Sequence, residues 1–168
     1  MVDSSGLNPV ETAWRMHGVL VDWTGKADSK AVFALTMQST VLVVTGTLVG
    51  SKRGLGDVGG PGSLVTLVVG VLLLVLGLCF AVAAVSPRLV GRVGVEVGNR
   101  DYLYFGHLRS WRSDDLEAAL RGEDPLPVLV RQLIVMSDIA WVKHRRVQWS
   151  LLFGLLGLLL IAGVMAIK

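Results

Sequence analysis

Three blocks of the chain, residues 31–50, 63–86 and 149–167, are apolar almost throughout. Each is long enough for a helix to cross the hydrocarbon layer of a bilayer, which takes about 20 residues. The third block follows a mixed stretch, Pro125 to Gln148, that carries Arg131, Gln132, Asp138, Lys143, His144, Arg145 and Arg146. Nothing between the two halves breaks a helix. The pattern therefore predicts a single helix from Pro125 to the C-terminus, about 65 Å long and about twice the hydrocarbon thickness. One element would stand half in water and half in lipid.

The other elements follow from local signals. Asn8-Pro9-Val10-Glu11 reads as a helix start, with a capping Asn, Pro at the first helical position and Glu three residues after the cap. The helix it opens holds Ala13, Trp14, Met16, Leu20 and Trp23, and is amphipathic. It is expected to pack on the membrane surface or on the soluble half of the long helix, with Gly25 interrupting it. Residues 1–30 thus form a lead-in to the first span, 31–50. On this helix Ser29, just ahead of the span, and Thr36, Thr40 and Thr47 within it share one stripe, with Gln38 and Thr45 roughly opposite. Hydroxyls in lipid bond back to their own helix or across to a neighbour, and such a stripe can also line a polar path. A Gly-rich turn leads to the second span, 63–86. There Gly70, Gly77, Ala81 and Ala84 share one face, a small-residue seam for close helix packing within the chain or between copies of it. Residues 87–148 are soluble in character. Val93, Val95 and Val97 alternate as in a short extended piece, Tyr102 to Trp111 is aromatic-rich, and Ser113 is placed to cap a short helix ending near Gly122. Trp141 and Trp149 suit a membrane interface.

Composition agrees with this division. Hydrophobic residues make up 52% of the 168, and the mean hydropathy of +0.62 is high for a soluble protein. The net charge of +3 is modest and does not demand a nucleic-acid polymer as partner. No signal peptide is recognised, and the lone Cys79 lies inside the second span, where it can form no internal disulfide. Segment 87–148 holds ten Lys and Arg residues, while loop 51–61 holds Lys52 and Arg53 alone. The positive-inside rule then puts 87–148 and the N-terminus in the cytoplasm and the C-terminus outside. The expected fold class is an all-α membrane protein: three transmembrane helices, a cytoplasmic helical segment at 87–148, and a last helix continuous from cytoplasm into membrane.

Motifs for chemistry are scarce. His17, His107 and His144 are scattered and have no cysteine beside them, so no metal set is expected. There is no Gly-rich phosphate loop and no nucleophile elbow. A single histidine among aromatics, His107, reads as a packing or binding residue. On the long helix Gln132, Met136, Ile139 and Lys143 share a face, and Lys143 can reach Asp28 near the membrane boundary. Asp28, Lys30, Gln132 and Lys143 are therefore the candidates for coupling the first and third spans.

Ala27-Asp28-Ser29-Lys30-Ala31 before the first span, Tyr104-Phe105-Gly106-His107, and Gln132, Ser137, Ile139 and Lys143 before the last span form an ordered set. In order and spacing it resembles the transmembrane effectors of Pycsar antiphage systems, over about residues 10 to 168. The resemblance implies a partner cyclase that makes cyclic UMP or cyclic CMP on infection. It also implies an effector that answers by impairing the inner membrane, which aborts the infection. On that reading the chain is no enzyme, holds no cofactor beyond the regulatory nucleotide, and works in the bilayer as a homo-oligomer, since three spans alone cannot enclose a water path. The chain shows no cyclic-nucleotide-binding β-barrel, so a pocket must come from the soluble helices. Arg100, Tyr104, Phe105, His107, Arg109 and Arg112 offer a stacking surface and cationic donors for a phosphate. Two other readings stay open: a structural or assembly subunit of a membrane complex, and a small channel or transporter component.

Overall fold

The computed structural model describes residues 8–51, 60–86, 102–103 and 105–167. Among them the regular structure is helical: α1 (Pro9–Gly50), α2 (Pro61–Val85), α3 (Phe105–Leu108), α4 (Ser113–Gly122) and α5 (Pro125–Ala166). α1, α2 and α5 are each long and apolar enough to cross a membrane. The extended piece expected at 93–97 lies outside the described residues.

The helix starts obey their caps. Asn8 Oδ1 accepts from the Val10 N–H at 3.0 Å, and Asp124 Oδ1 accepts from the Leu126 N–H at 3.0 Å, each with Pro at the next position. Glu11 does not complete a capping box and instead pairs with Arg15 at 2.6 Å, one turn on. α2 begins at Pro61 rather than Ser63. Gly60 before it has φ 119°, a backbone state that an L side chain resists. α4 is capped by Arg112, not by Ser113, which lies inside the first turn. Arg112 has no side-chain acceptor, and Asp114 and Asp115 complement the exposed N–H groups electrostatically.

Gly25 does not interrupt α1, contrary to the expectation from its sequence. A mid-helix glycine costs roughly 1 kcal/mol against alanine. Packing on either side outweighs that: Ala13 and Ala27 are both buried. Burial along α1 falls at 13, 17, 20, 24, 27, 31, 34, 38, 41, 45 and 48, and along α5 at 129, 133, 136, 140, 143, 147, 150, 154, 157, 161 and 164. Alternating steps of three and four give a repeat of about 3.5 residues, the coiled-coil period. α2 keeps the same steps at Leu67, Gly70, Leu74, Gly77, Ala81 and Ala84.

The chain divides into two compact units, Met1–Gly25 with Pro87–Trp141, and Lys26–Ser86 with Val142–Lys168. In the first, Ala13, Leu129 and Leu133 form a core with Val10, Leu20, Leu103 and Leu126 packed against it. The amphipathic start of α1 thus packs on the N-terminal half of α5. Trp111 meets Tyr102 edge to face at 6.3 Å. In the second unit Leu67, Leu74, Ile161 and Val164 form the core, and Phe33, Leu72 and Leu155 on the outer faces are exposed, as suits contact with lipid.

Candidate functional site

The second unit is an apolar three-helix bundle crossed by a few polar contacts. Ala31, Ala84 and Val147 form one buried cluster, so the apolar run of α1, that of α5 and the C-terminal end of α2 meet at one level. Just ahead of it, Lys143 Nζ lies 2.6 and 2.8 Å from the two Asp28 carboxylate oxygens. Lys143 is mostly buried at 13% exposure and Asp28 less so at 38%. Arg146 donates to the Ala83 carbonyl, one of the last-turn acceptors of α2 that no helical N–H can reach.

Deeper in the bundle, the Gln38 side chain donates from Nε2 to the Ser150 carbonyl at 2.9 Å and to Ser150 Oγ at 3.1 Å. Gln38 is 5% exposed, and its Oε1 has no hydrogen-bond partner. The Ser150 carbonyl can only accept, so it fixes the amide with its nitrogen toward α5 and its oxygen toward α2. On α2 the oxygen meets Gly77, where a Cβ would come within 2.9 Å of it and of the Ser150 carbonyl oxygen. At Gly154 a Cβ would come 2.5 Å from Gln38 Nε2, and at Gly157 2.6 Å from the Gly70 carbonyl oxygen. Four glycines therefore let α2 and α5 touch closely, Gly77 and Gly154 beside the Gln38 amide and Gly70 and Gly157 against each other further along.

The seam of Gly70, Gly77, Ala81 and Ala84 is accordingly filled within the chain, and contact between copies through it is ruled out in this packing. The hydroxyl stripe of α1 is exposed. Thr36, Thr40 and Thr47 donate to the carbonyls of Val32, Thr36 and Val44 at 3.0, 2.9 and 2.8 Å, so their protons are used inside the helix.

Of the four coupling candidates, Asp28 and Lys143 meet, Lys30 is exposed, and Gln132 is half-buried in the other unit. Ser150, Gly154 and Gly157 were missed, because a serine and glycines in an apolar run carry no hydropathy signal. Replacing both partners as Asp28→Asn and Lys143→Met is expected to show a coupling of about 1 kcal/mol, reduced from the buried-pair range because Asp28 is partly solvated. A double-mutant cycle on unfolding in detergent measures it, and strict additivity would dismiss the pair as a stabilising contact.

Of the ligand candidates, Arg100 and Tyr104 lie outside the described residues, and Phe105 opens α3. His107 is half-buried in α3, Arg109 is exposed beyond it, and Arg112 precedes α4. Arg112 lines an open cavity of about 580 Å³ with Ser110, Trp111, Asp115, Ala119 and Glu123. The Trp111 Nε1–H is buried away from solvent and has no acceptor. Among the described residues no group of His, Cys, Asp and Glu could hold a metal ion.

A family model described as the Pycsar effector protein domain matches residues 12–168. No curated protein and no solved structure matches the chain.

Proposed function

This chain belongs to the Pycsar effector family, the transmembrane effectors of an antiphage defence, and from that premise we propose that a cyclic pyrimidine nucleotide, cyclic UMP or cyclic CMP, switches it from a resting bundle to a membrane-impairing one. The nucleotide occupies the cavity beside Trp111. Arg112 meets the phosphate or a base carbonyl and the Trp111 ring offers an apolar face to the base, while Asp115 and Glu123 accept from ribose hydroxyl or base N–H groups. The volume falls inside the usual range for small-molecule sites, roughly 300–1,000 Å³. Arg109 and His107 lie close in sequence and contribute charge and hydrogen bonding.

One observation carries the reading: α1 and α5 each run unbroken from a part with charged residues into a membrane-spanning part. A ligand acts on an equilibrium only by binding one arrangement better than another. If it favours a different packing of the helix starts, the same helices bring that preference to the spans. Several copies then open the bilayer, and loss of the inner membrane barrier ends the infection with the cell. In this reading 87–148 faces the cytoplasm, where a cyclase delivers its product.

The test is dye release from liposomes that carry the purified protein. Release is expected on addition of cyclic UMP or cyclic CMP and not with linear UMP or CMP. Equal release with and without cyclic nucleotide, or none at all, would overturn the proposal. In cells, a reporter fused after Lys168 should read as exported; a cytoplasmic reading would reverse the orientation.

A further inference from the structure

The apolar stretches of the second unit end together on one side. Twenty residues of α1 from Ala31 and twenty of α5 from Val147 carry no Asp, Glu, Lys or Arg, and Ala31 and Val147 share one buried cluster with Ala84. At 1.5 Å per residue each stretch spans about 30 Å, the thickness of the hydrocarbon layer. The residues just ahead of both stretches therefore lie at the phosphate level of one leaflet. They are Lys26, Asp28 and Lys30 on α1 and Lys143, His144, Arg145 and Arg146 on α5. Among the described residues the opposite ends of the three helices carry no charged side chain.

The charges of this collar divide by partner. Lys143 is neutralised by Asp28, and Arg146 is taken by the Ala83 carbonyl at the end of α2. Lys30 and Arg145 point outward. Lys30 is exposed at the flank of the inward face of α1, and Arg145 stands between the inward Lys143 and Val147, on the far side of its helix. Neither has an acidic neighbour at i ± 4 on its own helix. Long cationic side chains at such a level extend to the interface and meet lipid phosphates. Trp149, one turn further along α5, is 40% exposed and suits the same layer.

We infer that Lys30 and Arg145 form a binding collar for anionic phospholipid headgroups. The planar Arg145 guanidinium holds a lipid phosphate through two N–H donors, and Lys30 acts as a separate point charge on α1. The protein thereby gathers anionic lipid around the spans it shares with the leaflet.

The experiment compares spin-labelled phosphatidylglycerol with spin-labelled phosphatidylcholine at the surface of the full-length protein in vesicles. Phosphatidylglycerol is expected to associate more strongly. The double variant Lys30→Gln, Arg145→Gln should lose preference by on the order of fivefold per cation removed. The variant Arg15→Gln, Arg121→Gln removes the same charge from exposed helix pairs elsewhere, and should keep the preference. The inference is overturned if the two lipids associate equally, if the collar variant keeps the preference, or if the control variant loses it as fully. It is overturned too if inorganic phosphate abolishes the preference, since the site would then take a free anion. Circular dichroism of each variant separates loss of lipid from loss of fold.

Discussion

Gly157→Ala should lower the stability of the spanning bundle by about 3 kcal/mol, near the upper range for overpacking. A single methyl at Gly157 would come 2.6 Å from the Gly70 carbonyl oxygen and 2.9 Å from the Leu74 backbone nitrogen. Both neighbours are backbone of α2, so no side-chain rotation relieves the clash, and the helices must part along their length. The loss then includes dispersion contacts across the whole crossing, which is the main attraction between helices where lipid is as apolar as they are. Gly163→Ala provides the comparison in the same helix. Nothing lies within 4 Å of a Cβ there, so alanine brings better helix propensity without a clash, worth up to about 1 kcal/mol. Thermal unfolding of both variants in one detergent should therefore move in opposite directions. If Gly157→Ala melts with the parent protein, the backbone contact of α2 and α5 is not what holds the bundle.

These two glycines also show what the sequence could and could not reveal. Length and hydropathy identify the spans, and the caps at Asn8 and Asp124 place the starts of both long helices. Those signals are local. The small-residue face of α2 was readable too, but not its partner. Its match on α5 is the pair Gly154 and Gly157, and only their three-residue step, beside the seven-residue step from Gly70 to Gly77, hints at it. Inside a span nearly every position is apolar, so the 3.5-residue repeat that sets the inward face leaves no trace in hydropathy. It is carried by the exceptions: Gln38, Ser150 and the glycines. Gln38 could be seen as a polar residue in lipid. That it would meet Ser150 depends on the relative level of two helices 112 positions apart in sequence. The Asp28–Lys143 contact was legible because opposite charges near one membrane boundary have few other partners. Gly25 misled for the opposite reason: its propensity is a local cost, and the packing that outweighs it is tertiary.

Gln38→Met should stabilise the resting bundle while weakening its response to nucleotide by on the order of tenfold. Methionine nearly preserves the volume and flexibility of glutamine. It gives up two hydrogen bonds to Ser150, each worth about 0.6 kcal/mol between spans. Ser150 loses little. Its carbonyl retains the α-helical bond from four residues on, and its hydroxyl can turn back to the preceding turn. The change also removes Oε1, an acceptor buried without a partner beside Gly77. Such an atom costs about 1–3 kcal/mol, and more as its surroundings become less polar. The second term is larger, so the balance favours the apolar side chain by about 1 kcal/mol. An arrangement in which α2 draws away and water reaches the amide satisfies Oε1, and glutamine lowers the free energy of that arrangement relative to the closed one. Methionine withdraws this advantage and raises the hydrated state by a further amount of similar size. Together they come to about 1.4 kcal/mol or more, a tenfold change in the balance of the two states. Gln38→Ala is the contrast. It leaves a void and should destabilise the bundle by about 2–4 kcal/mol. The decisive measurement pairs the unfolding midpoint of Gln38→Met with its dye release at a subsaturating dose of cyclic nucleotide. A lower midpoint would mean that Gln38 binds the helices together. A higher midpoint with undiminished release would mean that the amide stays dry when the membrane is breached.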